Sequence, residues 1–315
     1  MQPNAKIVVL GDLLYDCIAC AERLPRAGES VIGYDIGFFP GGKGANQAVQ
    51  AAKLGADVSL LGCVGNDERG HFLLSKLNEY GVNTDFIKIE PNVATGTCCI
   101  HVANDGTNAL VIASMANEKY TPRDIEQVKV IIESADVFLT QCQLPAETVY
   151  RGLSIAKSAG ITTIFDPAPP RDFDERMFSL ADFFTPNETE AEFYSGISRD
   201  NMTLATWCSY VGDVLHKKGV KNLLLTLGSK GVYYSNGDVS FHIDSIPANA
   251  VDTTGAGDSF AAAFAVALLR NYTIKQAVYF ANIVASITTT KKGGQPSMPK
   301  QDDVVQFIEE KHLAI

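Results

Sequence analysis

The chain has 315 residues, 46% hydrophobic and 20% charged, and a mean hydropathy of +0.04. That is a globular composition, long enough for one large α/β domain or two smaller ones. A net charge of −10 and a pI near 5.0 argue against nucleic acid and anionic membrane surfaces as bulk partners, while a small anionic ligand can still be held by local cations and helix starts.

Taken in chain order, Met1–Lys6 runs directly into the apolar stretch Ile7–Leu10, with no basic segment ahead of a cleavable apolar one. No apolar run reaches the roughly 18 residues of a membrane span, so a cytoplasmic location is expected. Lys6–Gly11 reads as a buried strand. Gly11-Asp12-Leu13 follows it where a dinucleotide fold would carry G-x-G-x-x-G, which speaks against a nicotinamide-dependent dehydrogenase. Asp16, just beyond, suits a carboxylate accepting from sugar hydroxyls, or one that caps a turn. Cys17-x-x-Cys20 has redox or zinc spacing but no second Cys/His pair. Seven cysteines without a secretory signal point to reduced thiols, with Cys63, Cys98, Cys99 and Cys142 expected as small core residues.

Ser30–Phe39 carries no helical period. Pro40-Gly41-Gly42-Lys43-Gly44-Ala45-Asn46-Gln47 then opens a helix over Lys43–Leu54, ended by Gly55. Three glycines around a lysine let backbone approach a ligand while Lys43 and Asn46 offer donors. The segment is not a P-loop, because glycine stands at 44 where Ser or Thr would hold magnesium. Val58–Val64 reads as a strand and His71–Tyr80 as a helix. Thr95–Ser114 breaks the rhythm again as a hairpin, Gly96–Ala103 and Asn108–Ala113 around Asn104-Asp105-Gly106. The two irregular regions suggest a small sheet serving as a lid, or a plain edge hairpin.

Strands Val137–Thr140, Thr162–Phe165, Asp182–Thr185 and Asn222–Thr226 alternate with helices Glu147–Ala159 and Leu204–Lys218. Repeated strand–helix–Gly–strand units imply a parallel sheet with helices on both faces. Asn187-Glu188-Thr189-Glu190 fits a capping box, or residues arranging magnesium near phosphates. Thr226-Leu227-Gly228-Ser229-Lys230-Gly231 is a Gly-rich turn suited to contacting a nucleotide. Asp252-Thr253-Thr254-Gly255-Ala256-Gly257-Asp258 leads straight into the apolar run Ala261–Leu269. Small residues at a helix start expose unpartnered N–H groups at the positive end of the macrodipole, a site for phosphate, and Asp258 lies in the same first turn. Capping by Asp252 or Thr253 is the plainer reading. The loop Lys291–Ser297 supplies carbonyls for a monovalent cation, or simply ends a helix.

Together these segments resemble the ribokinase, or phosphofructokinase B, family of sugar kinases, almost end to end. The resemblance rests on Gly41–Gln47 and Asp252–Asp258 in that order, with Thr185–Glu192 looking like the ribokinases themselves. It implies a single domain over 1–315, a three-layer α/β sandwich with a central, mostly parallel sheet and a small β-sheet lid drawn from about 12–40 and 95–115. It also implies a cytoplasmic ATP-dependent kinase acting on the primary hydroxyl of a pentose, D-ribose first, with Mg2+ and an activating K+. Asp258 would be the general base, and the amides of Gly255, Ala256 and Gly257 the anion hole. Asp12, Leu14, Asp16, Gly41, Gly42, Lys43, Asn46 and Gln143 would line the sugar. Asn187, Thr226, Gly228, Ser229, Gly231, Gly257 and Asn282 would bind nucleotide, with Glu190 organising magnesium indirectly. Asp252, Thr254, Thr288, Lys291, Gly293 and Ser297 would hold potassium, and the lid would pair two subunits.

Two departures bear on the substrate. Leu14 stands where the family usually has asparagine, and Gln143 where it usually has glutamate. An apolar residue at 14 favours a sugar lacking one hydroxyl, so 2-deoxyribose and, further off, a nucleoside are alternatives. A rival of another class is a non-catalytic sugar or nucleotide sensor, which has no use for a base at 258.

Overall fold

The computed structural model describes residues 5–314; Met1–Asn4 and Ile315, and with them most of the leader segment considered above, lie outside the described residues. The strands are β1 (Lys6–Leu10), β2 (Leu14–Ala21), β3 (Gly33–Gly41), β4 (Asp57–Gly65), β5 (Ile87–Glu90), β6 (Thr97–Ala103), β7 (Asn108–Ala113), β8 (Val137–Thr140), β9 (Thr162–Phe165), β10 (Phe183–Phe184), β11 (Asn222–Thr226), β12 (Val232–Ser235) and β13 (Ser240–Ile243). The helices are α1 (Lys43–Lys53), α2 (Glu68–Glu79), α3 (Pro122–Gln127), α4 (Lys129–Glu133), α5 (Ala146–Ser158), α6 (Arg176–Leu180), α7 (Glu188–Ser195), α8 (Leu204–Lys217), α9 (Ala256–Leu269), α10 (Ile274–Thr288) and α11 (Gln301–Glu310).

Alternate residues of β1 explain the layers. Ile7 and Val9 pack beneath α1, α2, α9, α10 and α11, whereas Val8 and Leu10 pack against α3 to α8, so a strand apolar on both faces sits between two helical layers. The main sheet has the order β13-β12-β11-β10-β9-β8-β1-β4-β5, parallel throughout except for the pairs β11–β12 and β12–β13. From β1 the chain moves out to β4 and β5, then returns to β8 on β1's other side. The switch point therefore lies between β1 and β8, and α/β ligand sites form outside the carboxyl ends of strands at such a point. Helix α9 is apolar all round and almost wholly buried, and its alanines let it lie close against α1 and α10.

The small sheet has the order β3-β2-β6-β7. The hairpin β6–β7 is half of this sheet rather than a loose edge, because β6 pairs in parallel with β2. Asp16 does not cap a turn: it sits within β2, paired with Phe39 and Cys98. Cys99 corrects another expectation. Strand alternation puts Cys98 on the buried face and leaves its neighbour exposed, while Cys63 and Cys142 are buried as expected. Phe38, Cys17, Cys99 and Val111 form one row across the outer face, exposing Phe38 and Val111, with Ile36 exposed in the next row.

Candidate active site

The carboxyl ends of five neighbouring parallel strands carry Asp12, Gln141, Asp166, Thr185–Asn187 and Thr226–Gly228, at or just past the ends of β1, β8, β9, β10 and β11 respectively. Across from them stand the N-termini of α1 and α9. Gly42 takes a φ of +93° before α1, and a Cβ there would lie 2.7–2.9 Å from the Asp12 carbonyl, the Leu14 amide and Leu13 Cα. Glycine is what lets the strand end and the helix start meet.

Helix α9 begins at Gly255, in the left-handed region (φ 77°), with no side-chain cap. Neither Asp252 nor Thr253 caps it. Ala256 N–H donates to the Thr253 carbonyl at 3.2 Å, which leaves the Gly257 and Asp258 amides as the first-turn donors without an intrahelical acceptor. Asp258 is buried. Its Oδ2 accepts from Asn46 Nδ2 at 2.8 Å, and Lys43 Nζ lies 3.7 Å from its Oδ1. The two motifs 212 residues apart in the chain thus converge on one carboxylate.

Asp12 and Asp16 lie nearby. Asp12 Oδ1 accepts from the Gly44 amide at 3.0 Å, and its buried Oδ2 has no partner. Burial pushes Asp12 up to about 6, with the Asp258 charge adding and the Gly44 amide and Lys43 opposing. Burial, then the charges of Asp12 and Asp258, carry Asp16 up to about 7. The Asp16 carboxylate rests on bare Gly41 backbone, since a Cβ there would be 2.1 Å from Oδ2. Burial alone would lower Lys43; Asp258, Asp166, Glu190 and Asp12 outweigh it and hold the ammonium well above the lysine range. Leu14 is buried on the same strand face as Asp16. Gln143 is half-buried in the turn after β8, with Arg171 Nη1 donating to the carbonyls on either side, Cys142 at 3.0 Å and Leu144 at 3.3 Å.

Asn187 and Glu190 form the capping box of α7: the Glu190 amide donates to Asn187 Oδ1 at 3.0 Å, and the Asn187 amide to Glu190 Oε2 at 2.8 Å. The capping reading is therefore realised. Burial raises Glu190, and it raises the adjacent Asp166 far more, with Glu190 and Asp258 adding to the latter. Crowded buried carboxylates with Lys43 as their main cation form a donor set that a divalent cation would relieve.

Asn187, Thr226, Gly228, Ser229, Gly231, Gly257 and Asn282 all line one cavity of about 520 Å³ beside the α9 start. Its far wall, Ser245–Ala248 with Ala285, Ser286 and Thr289, carries no motif that a sequence reading could find. Behind it, Asp252 spans two loops, accepting from Thr254 N at 2.9 Å and Oγ1 at 2.7 Å and from Gly293 N at 2.9 Å. Despite burial, the Gly293 and Thr254 amides hold it below the ordinary aspartate value. Ser297 is buried and donates to the Gly294 carbonyl, and the Thr288 hydroxyl donates to Ser259 Oγ. Among the described residues, no group of three or more His, Cys, Asp or Glu is placed to hold a metal ion by itself, and no helix is long and apolar enough to cross a membrane.

Sequence reasoning passed over Asp166, Gln141 and Arg171. Asp166 and Gln141 each follow a strand that the pattern did mark, and polar residues in that position of a parallel sheet were the available signal.

The profile of the pfkB family carbohydrate kinases matches residues 4–301. A ribokinase of Bacillus subtilis is 37% identical over 302 residues, covering 96% of this chain and 99% of its own. A deoxyribokinase of Salmonella typhimurium is 32% identical over 303 residues, covering 96% and 98%. The structure of Arabidopsis thaliana ribokinase complexed with ribose and ATP superposes with a TM-score of 0.90 at 32% identity, covering 98% of this chain and 99% of that one.

Proposed function

The chain belongs to the pfkB family of carbohydrate kinases and is an ATP-dependent phosphotransferase; we propose that it transfers the γ-phosphoryl group of ATP to the primary hydroxyl of a pentose, D-ribose first. The observation that carries this reading is the uncapped start of α9 with Asp258 in its first turn, facing Lys43 and Asn46. What sets this start apart from the equally uncapped start of α5 is the buried carboxylate in its first turn, met by a lysine and an amide from α1. A binding protein would not need a buried carboxylate beside it.

Asp258 takes the proton from the sugar hydroxyl as its oxygen bonds to the γ-phosphorus and the bond to the ADP leaving oxygen breaks. The amides of Gly255 and Gly257, with the positive end of α9, stabilise the charge on the transferring group, while the Ala256 amide is already taken by the Thr253 carbonyl. Asp12, Asp16, Lys43 and Asn46 orient the sugar against Gly41 and Gly42. The 520 Å³ cavity takes the nucleotide, and the relative solved with ribose and ATP supports that assignment. An ATP-dependent kinase works with Mg2+, which neutralises phosphate charge; Glu190, with Asp166 beside it, would organise it through water. The oxygen-only set of Asp252, Ser297 and the carbonyls of Thr254, Thr288, Lys291 and Gly293 suits a hard monovalent cation, potassium, which would add positive charge beside the anion hole.

The small sheet is the lid of this site within one domain. The exposed apolar residues Ile36, Phe38 and Val111 on its outer face support a homodimer formed through it. The enzyme is cytoplasmic. Leu14 favours a second reading, in which 2-deoxyribose is the better substrate: a buried apolar side chain leaves a hydroxyl at that position unpaired.

ADP release over a panel of ribose, 2-deoxyribose, arabinose and nucleosides decides the substrate. Asp258→Asn should cut turnover by about a hundred- to ten-thousand-fold with nucleotide affinity retained. Retained turnover would remove Asp258 as the base.

A further inference from the structure

Gln47 lies in the first turns of α1 and is fully buried. Its Nε2 donates to Asp166 Oδ2 at 2.8 Å and reaches Asp258 Oδ1 at 3.5 Å. Its Oε1 accepts from Nε2 of Gln141, which is also buried. Gln141 Oε1 has no partner and lies over Gly11, where a Cβ would come within 2.2 Å of it. The two amides therefore run as a chain from the end of β8, through α1, to two carboxylates that follow β9 and begin α9.

A primary amide has a donor side and an acceptor side, and it can turn over. Gln141 settles which side Gln47 shows the carboxylates. By claiming the Gln47 carbonyl it commits both Gln47 N–H groups to Asp166 and Asp258. An amide donates to both without adding charge. A lysine would add a second cation beside Lys43, and a glutamate would add another carboxyl group to the crowd.

We propose that Gln47 and Gln141 form an amide relay that sets the position of Asp258 relative to Asp166, so that both glutamines are positioning residues for the phosphoryl transfer. The inference rests on Asp258 being the general base. Gln141 touches neither carboxylate, which makes it the decisive position.

Turnover, KM for each substrate and thermal melts would be measured for Gln47→Met, Gln141→Met, Gln141→Glu, the double methionine variant and Asp258→Asn. A carboxylate at 141 attracts the Gln47 N–H groups and turns its carbonyl toward Asp166 and Asp258. Gln141→Glu should therefore lower kcat at least tenfold, with both KM values within threefold of the parent. Gln141→Met fills the space over Gly11 and should lower kcat less, and it carries the test should the glutamate variant not fold. The double variant should be no slower than Gln47→Met alone, because the relay acts as one unit. The relay is overturned if the Gln141 variants that fold keep kcat within twofold, if the two single effects multiply, or if KM rather than kcat moves. Should Asp258→Asn keep its turnover, the reading of the base fails instead, and the two failures are told apart.

Discussion

On the proposed sugar site, Asp16 would tie sugar affinity to pH through a group separate from the proposed base. Its carboxyl lies on the inward face of β2, and burial, then Asp12 and Asp258, raise it from the ordinary 3.8 to about 7. The ionised form accepts hydrogen bonds from two hydroxyls at once, and protonation removes part of that capacity. With a midpoint near 7, the ionised fraction drops from about nine-tenths at pH 8 to about one-tenth at pH 6, so the sugar Kd should rise about tenfold over that interval. The same displacement acts on stability. An unfolded Asp16 ionises near 3.8 and the folded one near 7, so between those values the folded state holds the extra proton and stability falls as pH rises. At about 1.4 kcal/mol per pH unit the cost reaches about 4 kcal/mol by pH 8, an upper figure because the side chain keeps some contact with water. Asp16→Asn should therefore abolish sugar binding yet raise the unfolding free energy of the ligand-free protein, by about 2–3 kcal/mol more at pH 8 than at pH 5. Titration calorimetry in two buffers of different ionisation enthalpy reads the affinity and the proton released on binding. Urea unfolding at the two pH values reads the stability. A sugar Kd constant from pH 6 to 8, or a variant no more stabilised at pH 8 than at pH 5, would refute the reasoning.

Leu14→Asn restores an amide to the buried strand face beside Asp16 and should raise the ratio of kcat/KM for ribose over 2-deoxyribose by about tenfold or more; an unchanged ratio places Leu14 outside the recognition of that hydroxyl. Gly42→Ala puts a Cβ against three backbone atoms at a φ of +93° and should cost at least about 2 kcal/mol in denaturant unfolding, so a loss below about 0.5 kcal/mol contradicts the packing described. Replacing Ile36 and Val111 together with glutamate should turn a dimer into a monomer by light scattering. A parent protein that is monomeric at assay concentration, or a double variant that remains dimeric, counts against the lid interface.

The parallel strands were legible because β1, β4, β8, β9 and β11 are short apolar runs, and Gly55, Gly81, Gly160 and Gly219 mark the ends of α1, α2, α5 and α8 between them. So were the two glycine-rich helix starts, where small residues cluster at no cost to an apolar pattern. Strand β2 was not, since Leu-Tyr-Asp-Cys-Ile-Ala-Cys-Ala is half-buried on both faces and shows no clean alternation. Asp166 was hidden because its role depends on Gln47, 119 positions earlier, and on Asp258 beyond it. Between the two readings of Asn187 and Glu190 the sequence was neutral, and the reciprocal hydrogen bonds realise the cap without using every lone pair of the carboxylate. Cys99 misled because an apolar run hides which side of the pleat each residue takes.

The meeting of Asn46 with Asp258 also bears on how this molecule comes into being. Contacts so distant in the chain close the largest loops and form late, after local helices and neighbouring strands. During synthesis, Asp12, Asp16, Lys43 and Asn46, proposed to hold the sugar, leave the ribosome well before Asp258, which follows Asn46 by 212 positions. A nascent chain that has not yet made α9 therefore lacks the proposed base. On the proposed reading the site is complete only once α9 packs against α1. For a phosphotransferase, an incomplete chain would then have no means of spending ATP.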